Sequence, residues 1–288
     1  MDAKITKQRL GNLLAYDWLK ILAVIAAAIA LLTLFFTMVR TRPSEEQTFT
    51  VYAYCVGKGS QTNHEPNKNL FSYEILTTGE ETFESNTTYL FQVRRSAGQG
   101  TVLFIADIEV KDENGNVTAQ SDLAVLTEGM SGGLAIDTKE YLSDCETYLK
   151  KFFGEELKEE NLNAELVKET FLARNKKDKR FRTEAKKQAG IAQETERLKK
   201  LRTDFLEVRA AVESGLLTHR EYEKDGKTYA VAFGLGALNK INRLYYCGRP
   251  EDRQDALHLV ILNNHNPDSD LRFESVSYLS YLVREYAQ

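Results

Sequence analysis

The chain has 288 residues, a formal net charge of −4 and a sequence pI near 5.8. This acidic balance gives no indication of nucleic-acid binding, which depends on a basic surface. The three cysteines are odd in number and widely spaced, so neither a disulfide framework nor a zinc-binding pattern is readable from them.

The amino-terminal part contains an uninterrupted apolar segment. Residues 21–39 carry no charge, proline or glycine. As a helix they span about 28 Å, close to the ~30 Å hydrocarbon core of a bilayer. Trp18 and Lys20 at its amino end suit the headgroup level. Because the apolar run is longer than that of a cleaved signal peptide, we expect a transmembrane helix over residues 18–39.

The basic residues around this segment predict its orientation. Lys4, Lys7, Arg9 and Lys20 precede the apolar run, whereas Arg40 and Arg42 follow it closely. Basic residues are enriched on the cytoplasmic side of membrane helices. We therefore expect residues 1–17 in the cytoplasm, a linker at residues 40–47 and an extracytoplasmic domain over residues 48–288.

Strand and helix patterns alternate in the first half of this domain. The segments 48–56, 70–76 and 101–108 are predicted as strands from their apolar and β-branched content. Residues 79–97 are predicted as a helix, with four apolar residues on one side, namely Phe83, Leu90, Val93 and Ala97. Strand, helix and strand in succession predict a βαβ unit and hence a parallel sheet. A hairpin around Asn114 and Gly115 and strands within residues 125–136 are expected next.

Residues 139–212 are helical in pattern and densely charged. One apolar seam recurs at helical spacing through Leu198, Leu201, Phe205, Val208 and Val212. Residues 174–187 include eight basic residues, which fits a solvated helix face, or attraction to anionic lipid or to an acidic partner. Strands at 227–233, 244–247 and 257–262 and a helix at 271–286 follow. The fold expected is one α/β domain with a helical insertion at residues 139–212.

Motifs for catalysis or metal binding are weak. Residues 129–133 match G-x-S-x-G, but residues 134–137 have a strand pattern where a nucleophile elbow requires a helix. Residues 266–270 have alternating side chains with oxygen atoms, which could suit calcium. They lack the glycine and the glutamate of a calcium-binding loop, so a turn that caps the last helix is expected. The four histidines lack metal-site spacing. We expect no enzyme activity, no metal and no cofactor.

The stretch 71–107 resembles the first lobe of extracellular solute-binding proteins of ABC importers, the maltose-binding-like class. The residues that carry the resemblance are Ala97-Gly98-Gln99-Gly100 followed by the apolar strand that ends at Asp107. The strand at 227–232 and the helix at 276–286 are similar to the strand between lobes and the late helix of that family. The resemblance implies a parallel-sheet, solute-binding-protein-like lobe. Members of that family have a second α/β lobe, and in this chain charged helices take its place in the sequence.

A ligand cleft in such a lobe lies beyond the carboxyl ends of the parallel strands. Asp107 is the candidate ligand-binding carboxylate, since it can accept two hydrogen bonds from sugar hydroxyls. Tyr54, on the first strand, is the candidate stacking face. The competing interpretations are a helix or turn cap for Asp107 and a core aromatic for Tyr54.

Two functions follow from these patterns. The first is a membrane-anchored, extracytoplasmic solute-binding-like protein that captures a small polar solute such as a sugar for an ABC importer, with the transporter permease as partner. The alternative is a non-catalytic scaffold or accessory subunit that contacts another membrane protein through its charged helical insertion.

Overall fold

The computed structural model describes residues 11, 18–39, 43–129, 135–176, 178–224, 226–248, 256–263 and 269–287. The chain divides into two compact units, Met1–Pro43 and Ser44–Gln288. In the first unit, helix α1 (Trp18–Val39) confirms the predicted helix. Its segment Trp18–Phe36 has a mean hydropathy of 2.6 and no buried residue, so it is long and apolar enough to cross a membrane or to act as a signal anchor. The basic residues that precede Gly11 and those at 40 and 42 lie outside the described residues.

The second unit contains strands and helices in alternation. The strands are β1 (Thr48–Tyr54), β2 (Gly57–Lys58), β3 (Thr77–Phe83), β4 (Val102–Ala106), β5 (Val110–Lys111), β6 (Val117–Ala119), β7 (Thr218–Lys224), β8 (Lys227–Gly234), β9 (Tyr245–Tyr246) and β10 (Leu257–Ile261). The helices are α2 (Thr88–Ser96), α3 (Asp122–Gly129), α4 (Thr138–Phe153), α5 (Ala164–Arg174), α6 (Glu184–Glu213) and α7 (Glu274–Tyr286).

Six strands form a mixed central sheet in the order β3-β1-β4-β10-β8-β7. β3, β1 and β4 are parallel, and β3-α2-β4 is the predicted βαβ connection around the intervening β1. β10, β8 and β7 join in antiparallel fashion, so that four of the six strands run in one direction. The central strands β4 and β10 are buried along their whole length, which explains their continuous apolar sequences.

Helices cover both faces of the sheet. On one face, the larger core joins Phe49, Val51 and Ala53 of β1 to the apolar sides of α4, α6 and α7. On the other face, Tyr52 and Tyr54 of the same strand pack with apolar residues of α2 and α3. This alternation along β1 is the period of two expected of a strand between two layers. The domain is therefore an α/β/α arrangement.

The helical insertion is part of the core. Its region 139–212 contains α4, α5 and most of α6, as predicted. Along the predicted seam of α6, Leu198, Leu201, Phe205 and Val208 are buried, and Val212 packs beside them. The insertion thus contributes a layer of the domain rather than a projecting arm.

Two sequence predictions between residues 70 and 97 are wrong. Residues 70–76 are irregular, because the strand begins only at Thr77 and pairs with β1 over seven residues. Residues 79–83 consequently belong to that strand, and the predicted helix is confined to Thr88–Ser96. Residues 125–129 belong to helix α3, where strand-like pieces are predicted, and Ala135 forms an isolated antiparallel bridge with Leu262. Residues 130–134, in the middle of that predicted stretch, lie outside the described residues. The predicted parallel sheet is confirmed for β3, β1 and β4, whereas the strands from the carboxyl-terminal half enter as antiparallel neighbours and make the sheet mixed.

Candidate functional site

Polar side chains converge at the carboxyl edge of the parallel strands. Tyr54 is the last residue of β1, and Asp107 directly follows β4. The backbone amide of Asp107 donates to the carbonyl oxygen of Ala256 at 2.9 Å, which holds this point of the chain against the start of β10. This is the position at which open α/β sheets bind their ligands.

The Asp107 carboxylate has two side-chain partners from distant segments. Ser121 Oγ donates to Oδ1 at 2.5 Å, and Arg220 Nε donates to Oδ2 at 2.5 Å. Ser121 also accepts from the amide of Ala124 at 3.1 Å, so it caps the start of α3. The Asp107 side chain is 12% exposed and that of Arg220 is 41% exposed. The pair therefore lies at the solvent boundary and combines an anionic acceptor with cationic donors.

Tyr54 lies next to this pair in the fold but is enclosed. Its ring packs on Phe91 with centroids 5.8 Å apart, and its hydroxyl is 2.6 Å from Thr88 Oγ1. Burial raises the pKa of the Tyr54 hydroxyl. A stacking ligand needs a free ring face, and here both the ring and the hydroxyl are engaged within the protein.

Cys55 follows Tyr54 in a left-handed backbone conformation, with φ of 53°. Burial and the neighbouring Asp122 carboxylate raise the pKa of its thiol to about 11. Burial likewise raises the pKa of Asp122. The thiol is therefore protonated near neutral pH and is a poor nucleophile. Cys55, Cys145 and Cys247 form no disulfide bond.

Two arginines of the basic stretch at 174–187 donate hydrogen bonds to buried carboxylates. Arg174 Nη2 donates to Glu194 Oε2 at 2.9 Å, and Arg180 Nη2 donates to Glu74 Oε2 at 3.2 Å. Both glutamates are buried. Two of the eight basic residues of this stretch are therefore compensated inside the domain and are not available to lipid or an acidic partner.

The remaining motifs lie mostly outside the described residues. This holds for residues 130–133 of the G-x-S-x-G match and for 266–268 of the oxygen-rich run. Ser269 accepts from the amide of Leu271 at 3.4 Å and begins the turn before α7, as the capping interpretation predicts. In the part of the chain that the structure describes, no cluster of three or more His, Cys, Asp or Glu side chains is placed to hold a metal ion.

Sequence reasoning missed two members of the site, Ser121 and Arg220. Arg220 lies on β7, an edge strand of sequence Thr-His-Arg-Glu-Tyr-Glu-Lys. Its charged residues leave no alternation of apolar and polar side chains from which a strand could be predicted. A serine followed by an acidic helix start is a capping signal, and it was the one indication available for Ser121. Comparison with protein-family models, curated proteins and solved structures finds no match to this chain.

Proposed function

We propose that this protein is a non-catalytic, membrane-anchored receptor for a small polar solute, with Asp107 and Arg220 as the binding pair. The convergence of Asp107, Ser121 and Arg220 at the carboxyl edge of β4 supports the proposal. The Arg220 side chain is 41% exposed, so a solute can reach its guanidinium from solvent. A ligand with hydroxyl, amino or carboxylate groups can therefore exchange hydrogen bonds with the pair.

The anchor and the partner belong to the same proposal. Helix α1 holds the protein in the membrane with residues 1–17 in the cytoplasm and residues 48–288 outside. The excess of basic residues before the helix supports this orientation. The solute, such as a sugar, passes from the domain to the permease of a neighbouring ABC importer. The resemblance of residues 71–107 to solute-binding lobes is the support for that step.

A thermal-unfolding screen tests the proposal on the full chain in detergent, with sugars, oligosaccharides, amino acids and peptides as ligands. A ligand at a hundred times its dissociation constant adds ~2.7 kcal/mol to the free energy of unfolding. For a domain of this size, this raises the midpoint by roughly 5–10 °C. The variants Asp107→Asn and Arg220→Gln should remove the shift, whereas Arg94→Gln, which breaks an exposed pair with Glu81, should retain it. A panel with no shift, or a shift that survives both site variants, contradicts the proposal.

The second candidate function is a scaffold, and helix α2 supports it. Tyr89, Leu90 and Val93 are 72%, 49% and 45% exposed, and Phe91 alone of its residues is buried. Three exposed apolar side chains on one short helix are typical of a contact surface. The charged insertion is packed into the core, so the contact surface in this version of the scaffold is α2.

Site-specific photo-crosslinking separates the two functions. A crosslinker at Tyr89 should capture a membrane protein in cells if the scaffold is right, and Leu90→Asp should abolish that capture. A crosslinker at Lys168, which lies exposed on α5, is the matched control. Equal capture from both positions, or from neither, contradicts the scaffold.

A further inference from the structure

A cleft lies on the opposite face of the sheet from Asp107, between α4, α6 and β7. Its volume is about 260 Å³. Leu142 and Phe205 give it an apolar wall, and charged or polar side chains from all three elements complete it. Drug-sized ligands occupy pockets of about 300–1,000 Å³, so this cleft suits a smaller molecule.

His219 supplies the cleft with a neutral hydrogen-bond acceptor. The Thr138 hydroxyl donates to the carbonyl oxygen of Ala230 at 3.1 Å, so it must accept from His219 Nδ1, 2.8 Å away. The ring proton therefore lies on Nδ1, and Nε2 is the nitrogen left to accept. Burial, followed by the charge of Lys139, lowers the pKa of His219 and keeps the ring neutral near pH 7.

Charges of both signs stand side by side at the cleft. Arg209 comes no closer than 3.8 Å to the carboxylates of Glu146 and Glu213, which is beyond hydrogen-bond distance. Its guanidinium lies 5.8 Å from the ring centre of Phe205, so it stays above the apolar wall. Glu146 also contacts Lys150 at 3.3 Å, outside the cleft lining. Arg209 thus retains donors, and Glu146 retains acceptor capacity, for a ligand.

The second cation of the lining, Lys139, is already engaged. Its Nζ is 2.5 Å from a carboxylate oxygen of Glu221, and both side chains are largely in solvent. A ligand therefore meets Arg209 as the available cation and Glu146 as the nearby anion. A ligand with a single negative charge would pair with Arg209 and lie beside the like charge of Glu146. A ligand with a single positive charge would pair with Glu146 and lie beside the like charge of Arg209.

We propose that this cleft binds an α-amino acid with an apolar side chain. The carboxylate of the ligand lies on Arg209, and its ammonium group donates to Glu146 and to His219 Nε2. The apolar side chain packs on Leu142 and on the small accessible edge of Phe205, which is 1% exposed. An α-amino acid carries its opposite charges on two groups bonded to the same carbon, and the opposite charges of Arg209 and Glu146 lie 3.8 Å apart, which is the match that selects this class. The site is separate from the Asp107 site and does not depend on the receptor proposal.

Isothermal titration of the full chain in detergent with L-phenylalanine and L-leucine tests the site. Phenethylamine lacks the carboxylate and 3-phenylpropionate lacks the ammonium group, and both should bind at least about tenfold more weakly. Arg209→Gln and Glu146→Gln should each weaken L-phenylalanine binding by about tenfold or more. Glu213→Gln, which changes the other carboxylate near Arg209, is the matched control and should leave the affinity unchanged. Midpoints of thermal unfolding establish that the variants are folded.

Three results overturn the proposal. The first is the absence of binding of either amino acid at millimolar concentration. The second is equal affinity for the two analogues, which reduces the cleft to an apolar surface. The third is binding that Asp107→Asn abolishes and Arg209→Gln does not, which assigns the amino acid to the carboxyl edge and supports the receptor proposal instead.

Discussion

Arg197 on α6 occupies a buried ionic cluster between three helices. Its Nη2 and Nε donate to the two carboxylate oxygens of Glu194 at 2.8 and 3.1 Å, and Nη2 also donates to the Tyr148 hydroxyl at 2.6 Å. The carboxylate of Glu274 on α7 is 3.9 Å from Nη1. Glu194 and Glu274 are each 3% exposed. Arg197 is therefore the cation that offsets two carboxylates withdrawn from water.

We predict that Arg197→Met destabilises the domain by about 3 kcal/mol. Removing one partner of a buried ion pair costs about 3–5 kcal/mol, because the remaining charge is left without compensation. Methionine fills most of the arginine volume, so the loss is electrostatic rather than a cavity. Arg174 still donates to Glu194 at 2.9 Å, which places the expected loss at the lower end of that range. For a domain of this size the midpoint should fall by roughly 6–12 °C.

The loss should depend on pH. Burial by itself raises the pKa of Glu194, but the charges and hydrogen bonds of Arg197 and Arg174 outweigh it and hold that pKa below its ordinary value. In the wild type this contribution to stability is present above the unfolded pKa of about 4.3 and is lost as the pH falls through the folded pKa. In the variant, burial without Arg197 should raise the pKa, so protonation relieves the cost. The difference between the two proteins should therefore be largest near neutral pH and shrink on acidification.

Urea unfolding of the full chain in detergent, followed by circular dichroism at several pH values, measures this prediction. Arg94→Met is the control, because its exposed pair with Glu81 contributes only about 0–1 kcal/mol. The double variant Arg197→Met, Glu194→Gln should recover part of the loss, since it removes one of the stranded charges. A loss below about 1 kcal/mol at neutral pH, or one that does not change with pH, refutes the reasoning.

Three further predictions concern packing, capping and titration. Gly190→Ala places a Cβ 2.3 Å from Phe171 Cζ and should cost about 1–3 kcal/mol in urea unfolding, despite alanine's better helix propensity. Asp137→Ala removes the N-cap of α4 and should cost about 1–2 kcal/mol, whereas Asp137→Asn should retain most of the cap. Because the folded pKa of His219 is lowered, the unfolded chain binds its proton more readily, and stability should fall as the pH drops below about 6.5. In the variant His219→Gln, the midpoint of thermal unfolding should change less between pH 7 and pH 5.5 than in the wild type. An equal change in both proteins contradicts the assignment of this pH dependence to His219.

Local patterns in the sequence correctly predicted the elements whose burial is uniform or strictly periodic. Helix α1 is apolar on every side, and β4 is apolar at every position. Each could therefore be predicted without knowing which other segment packs against it. The buried seam of α6 repeats at helical spacing. The hairpin at β5 and β6 turns at Gly115, whose φ of +84° favours glycine.

The tertiary structure decided what the local patterns left ambiguous. Thr77–Phe83 is polar and half-buried, and it is a strand because it pairs along the whole of β1. The predicted helix is confined to α2, and Leu90 and Val93 from its predicted apolar side are exposed. Strand β7 is charged at most positions and becomes a strand only through its antiparallel pairing with β8.

The candidate sites depend on contacts between segments far apart in the chain. Asp107 was visible in the sequence as the residue after an apolar strand, but its partner Arg220 is 113 positions away. His219 and Arg209 likewise meet Glu146 only after α4, α6 and β7 pack together. The sequence by itself therefore determined the apolar helix, the buried strands and the helical layer, since hydrophobic periodicity encodes local burial. The tertiary structure alone decided strand direction, edge strands and charge pairing, because these follow from which distant segments become neighbours.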